Sequence, residues 1–96
     1  MKILEEKNKL IEQLDETRKK FIKADIKYRR KKCRIMLECN FEEILQKSRP
    51  TVAEKEAYVE FKTLNLKEKK ELLYSEIKKL ELEISLCDNK LEVELQ

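Results

Sequence analysis

Ninety-six residues with no glycine and one proline, Pro50, leave this chain few places to turn. Glycine supplies the left-handed backbone used in tight turns and helix ends, while proline stops a helix by removing an N–H and crowding the preceding turn. Apolar residues recur at helical spacing on both sides of Pro50, which predicts two long helices folded back at that point. The expected class is all-α, a long antiparallel helical hairpin of coiled-coil type, and 45% charged with 41% hydrophobic residues is the composition of long solvated helices. One domain is expected over 1–96, with a first helix over about 2–47, a turn at 48–51 and a second helix over about 52–95.

In the first helix Ile3, Leu10, Leu14, Phe21, Ala24 and Tyr28 follow a heptad whose remaining steps are Lys7 and Thr17. Leu4, Ile11, Ile22, Ile26, Cys33, Leu37 and Ile44 form a second stripe beside it, so this helix has more apolar surface than one neighbour covers. The second helix carries Leu73, Ile77, Leu80, Ile84, Cys87 and Leu91 in unbroken four-three alternation, with Leu72, Leu82, Leu86, Val93 and Leu95 off that seam and Tyr58, Phe61 and Leu64 off it nearer the corner. Helices of this length, roughly 65 to 70 Å at ~1.5 Å per residue, bury one narrow seam as a bare pair. Self-association into a dimeric bundle is the expected remedy, with Leu73, Ile77, Leu80, Ile84 and Leu91 as its interface.

The corner has its own grammar. Pro50 disfavours right-handed helical backbone at Arg49, and Thr51 followed by Glu54 fits the T-x-x-E capping box that opens a new helix. A fold-back centred there sets residue i opposite roughly residue 99 − i.

Catalytic and cofactor chemistry find little to work with. The chain has no histidine to act as a base and no glycine-rich loop to cradle phosphate, and Ser48, Ser75 and Ser85 have no activating neighbour in the pattern. Cys33, Cys39 and Cys87 form no C-x-x-C, and six residues set Cys33 and Cys39 on different faces of one helix, so reduced cytosolic thiols are expected and no metal. No apolar run approaches the ~20 residues of a membrane span, and the segment from Met1 to Leu14 lacks a secretion signal. A non-enzymatic protein of the cytoplasm, without cofactor, membrane contact or small-molecule substrate, is the expectation.

Charge carries the functional signal. Residues 18–34 hold ten basic residues against the single acid Asp25, while 1–17 hold three against five and 71–96 three against seven. A positive middle and a negative tip follow for the hairpin. At ~100° per residue, Lys19, Lys20, Lys23, Lys27, Arg30, Lys31 and Arg34 share a sector about 120° wide that Asp25 does not enter. The sector runs 15 steps, about 22 Å, enough to follow phosphates along a major groove about 12 Å wide. Charged sectors on amphipathic helices are usually plain solvated faces. Those commonly mix signs to gain i,i+4 pairs of ~0.2–0.5 kcal/mol, and this one does not. Arg18, Arg29 and Lys32 project between the apolar stripes and are expected to cover the core or pair with acids of the neighbouring helix. The sector suits nucleic-acid backbone binding without base readout; a host protein target, as for an inhibitor of a host enzyme or of a CRISPR-type defence nuclease, and a purely structural coiled coil are the alternatives.

The segments Ala24–Tyr28, Lys47–Phe61 and Leu80–Leu86 give the chain a layout that resembles small helical accessory proteins of tailed bacteriophages, encoded among replication and recombination genes. The resemblance implies expression in a bacterial host cytoplasm and supplies no catalytic residues. The basic sector and the cysteines are outside it.

Overall fold

The computed structural model describes residues 2–95; Met1 and Gln96, the ends of the predicted domain, lie outside the described residues. It is an all-α antiparallel hairpin of α1 (Lys2–Glu38), a short α2 (Phe41–Leu45) and α3 (Val52–Leu95). Its contacts cluster into two compact units, Met1–Lys23 with Glu71–Gln96, and Ala24–Lys70, each containing a stretch of both long helices.

In the first unit Leu14, Ile77 and Leu80 form a buried cluster against which Leu10, Phe21 and Ile84 pack. Burying each such side chain contributes about 1.5–3 kcal/mol. Thr17 completes the buried α1 face by donating its hydroxyl to the Gln13 carbonyl at 2.8 Å, which removes the cost of an unpaired buried O–H. The residues expected to bind a second copy are thereby reassigned. Ile77 and Leu80 are buried, and Leu73, Ile84 and Leu91 half-buried, within a single chain. The four-three seam of α3 faces α1 of the same chain because linked helices meet at an effective concentration a second copy does not match.

The second unit has a different core. Val59 and Thr63 are the most deeply buried side chains, 2% and 1% exposed, with Tyr28 and Phe41 also buried. Thr63 is tolerated there because its hydroxyl donates to the Val59 carbonyl at 2.7 Å. Phe41 meets Tyr58 edge to face, with ring centres 5.9 Å apart.

The helical register follows the fold-back arithmetic to within one turn. Ion pairs join Lys7 to Asp88, Arg18 to Glu81 and Asp25 to Lys70, where 99 − i gives 92, 81 and 74.

The first helix ends nine residues before its expected limit, at Glu38 instead of 47. Asn40 is the cause. Its backbone is extended (φ −86°, ψ 94°) and its side-chain oxygen accepts the Glu43 N–H at 3.3 Å, capping α2. The segment Asn40-Phe41-Glu42-Glu43 carries the same cap-x-x-Glu spacing as Thr51–Glu54. Two residues then do what glycine usually does. Gln46 ends α2 at φ 50°, where its own N–H donates to the Glu43 carbonyl and that of Lys47 to the Glu42 carbonyl, and Arg49 enters Pro50 at φ 53°. After Pro50 the capping box closes as expected: the Glu54 N–H donates to Thr51 Oγ1 at 3.1 Å, and the Thr51 N–H to Glu54 Oε1 at 3.3 Å.

A non-glycine residue in left-handed backbone carries a Cβ penalty of roughly 1–2 kcal/mol. Gln46→Gly is therefore expected to leave the fold intact and raise unfolding stability by up to about 1 kcal/mol, whereas Thr51→Ala lowers it by about 1 kcal/mol. Urea unfolding followed by circular dichroism measures both.

Candidate nucleic-acid interface

The seven residues of the basic sector all lie on α1 and all are exposed. Lys19, Lys20 and Lys23 belong to the first unit, and Lys27, Arg30, Lys31 and Arg34 to the second. Among the described residues none of the seven enters an ion pair. By helical angle Glu16 and Glu38 fall in the same sector, so acids close it at either end and leave the run between them uniformly positive.

The three basic residues set apart from this sector behave differently. Arg18 reaches Glu81 of α3 at 3.4 Å, Arg29 turns back to Asp25 at 3.1 Å, and Lys32 lies 5.1 Å from the centre of the Tyr28 ring. Lys70 approaches the same ring at 5.1 Å, so the buried Tyr28 has two ammonium groups near it. Lys70 also contacts Asp25 Oδ1 at 2.8 Å, as an ion pair outside good hydrogen-bond geometry. That ammonium first, and the Arg29 guanidinium after it, hold the Asp25 carboxyl below its ordinary range despite partial burial. The one acid within 18–34 is thus engaged by Lys70 and Arg29, away from the basic sector.

A second local charge cluster sits at the corner. Glu54 Oε1 accepts from Lys47 Nζ at 2.7 Å, as well as from the Thr51 hydroxyl at 3.0 Å and the Thr51 N–H. The Lys47 contact, then the two Thr51 bonds, pull the Glu54 carboxyl below the ordinary value. Within the same unit a cavity of about 540 Å³ is walled by Met36, Cys39, Phe41, Glu42, Arg49 and Pro50.

All three thiols are free: Cys33 is exposed, Cys39 half-buried and Cys87 buried. Among the described residues no group of three or more metal-binding side chains converges, and no helix is long and apolar enough to cross a membrane. Comparison with family models, curated proteins and solved structures returned no match to this chain.

Asp25 and Glu54 are both more acidic in the folded chain than in the unfolded one. Their contribution to stability is complete above the unfolded carboxylate range and is lost as pH falls through the depressed folded values, that is, below roughly pH 4. Thermal unfolding is expected to show a plateau near neutrality and a decline into that acid window. Glu54→Gln is expected to make the decline shallower, since it removes one of the two carboxyls whose acidity the fold raises.

Proposed function

We propose that the chain is a non-enzymatic, phage-type accessory protein that binds the backbone of nucleic acid through the basic sector of α1 in a bacterial cytoplasm. The observation that carries this reading is selective pairing. Arg18, Arg29 and Lys32 are engaged by Glu81, Asp25 and Tyr28, while among the described residues the exposed Lys19, Lys20, Lys23, Lys27, Arg30, Lys31 and Arg34 enter no ion pair and have no acid among them. Like charges at i,i+3 and i,i+4 spacing cost a helix a few tenths of a kcal/mol per pair, and a polyanion laid along the sector offsets that cost. Phosphates also gain from the release of their condensed counterions as each cation docks. Lysine and arginine side chains without rigid second contacts grip charge and leave base edges unread, so sequence preference is expected to be weak.

The phage assignment draws on the resemblance of residues 24–28, 47–61 and 80–86, and the binding mode on the charge geometry alone.

Fluorescence anisotropy with labelled duplex DNA at two ionic strengths tests the reading. Wild type is expected to bind at low salt and weaken at high salt. Changing Lys20, Lys27 and Arg34 together to glutamate alters the formal charge of the sector by six and is expected to abolish binding, whereas Arg18→Gln leaves it nearly unchanged. Absence of wild-type binding at low salt refutes the reading.

A further inference from the structure

The helix α3 has a second apolar face on the side away from α1. Leu72, Leu82, Leu86 and Val93 lie there, 72%, 62%, 51% and 72% exposed, all within the first unit. With Ser75, Lys79 and Asn89 between them they form an unbroken three-four alternation, a heptad seam separate from the one that packs on α1. Leu86 and Val93 also wall a cavity of about 440 Å³ together with Ile3.

The chain as a whole leaves more area open than a compact monomer of its mass, and the outer face of α3 is part of it. A compact monomer of 11.7 kDa exposes roughly 5,900 Å², from the scaling of folded surface with mass, and this chain exposes 7845 Å². The excess of about 2,000 Å² per chain accommodates an obligate homodimer interface, which buries about 2,000 Å² or more over both copies.

Charge decides the orientation. We propose that a second copy of this chain packs antiparallel on the outer face of α3, with Leu82 of one copy against Leu86 of the other. That register sets residue i near residue 168 − i. It places Val93 against Ser75 and the Lys79 stem beside Asn89, where the ammonium meets an amide. On the flanks Glu76 faces Lys90 and Lys78 faces Glu92, each pair twice by symmetry, against one like-charge contact of Glu83 with its own copy. Among the described residues Lys78 contacts Glu81 at 3.5 Å and lies 5.2 Å from the Tyr74 ring centre, both on its own helix, so it can turn to Glu92. A parallel arrangement instead stacks Lys79 on Lys79 and sets Glu71 against Glu76 twice, which cancels its two attractions of Lys78 to Glu83. Pairing through the exposed Leu4, Ile11 and Ile22 stripe of α1 fares worse, because Asn8, Asp15 and Arg18 take the intervening seam positions and leave no two apolar residues consecutive along it. In the first unit the α3 contact leaves Lys19, Lys20 and Lys23 uncovered, so it is independent of nucleic-acid binding.

Sedimentation equilibrium of the full chain across micromolar concentrations tests this. Wild type is expected at twice the 11.7 kDa chain mass, and the Leu82→Glu, Leu86→Glu double variant at the single mass. A wild type at single mass, or a double variant still at twice the mass, overturns the proposal. Should the double variant unfold, charge reversal decides: Lys90→Glu is expected to weaken the dimer several-fold to about tenfold, and adding Glu76→Lys to restore it. In the parallel arrangement Lys90→Glu changes nothing and Glu76→Lys alone tightens the dimer, so either result also overturns the proposal.

Discussion

Contact between two amphipathic helices of one chain is the constraint on which everything else rests. Leu14, Ile77 and Leu80 close one unit and Val59, Thr63, Tyr28 and Phe41 the other. These are narrow cores, and each spends the better apolar seam of α3 on α1. What remains outside is therefore not arbitrary: it is the part of each helix surface that an intramolecular partner cannot reach. On α1 this residue of surface is a second apolar stripe and a positive sector. On α3 it is an outward heptad flanked by mixed charges. The charge geometry of the hairpin is a consequence of how its core was allocated.

The corner shows how a chain without glycine turns. Asn40 and Thr51 each supply a side-chain acceptor to a helix start, and Gln46 and Arg49 adopt positive φ at the cost of a crowded Cβ. Glu54 draws Lys47 and Thr51 to a single oxygen, which links the end of the first arm to the start of the second. The same carboxylate is held more acidic by these contacts, as Asp25 is by Lys70 and Arg29. Local electrostatics and backbone geometry are thus coupled at the places where regular packing gives out.

Much of this was legible in residue order. Pro50 with Thr51 and Glu54 located the turn, the register of 99 − i placed Arg18 opposite Glu81, and angular arithmetic separated Arg18, Arg29 and Lys32 from the outward basic residues. The break at Asn40 was missed although Asn40 and Glu43 repeat the capping spacing, because apolar periodicity continues through Ile35 and Ile44 and masks it. Thr63 was missed because hydropathy does not register a hydroxyl satisfied by the carbonyl four residues earlier. Ownership of the Leu73 to Leu91 seam was not readable at all: heptad spacing is the same whether the facing helix belongs to the same chain or to another. Only the three-dimensional allocation of surface shows that the seam is already filled.

The uncompensated positive sector is the central claim, and its most direct measure is the dependence of the binding constant for duplex DNA on salt concentration. With most of seven cations meeting phosphates, log Kobs against log salt is expected to fall with a slope of about −4 to −6. A slope near zero would contradict the account, since binding would then owe nothing to the charges that α1 leaves exposed.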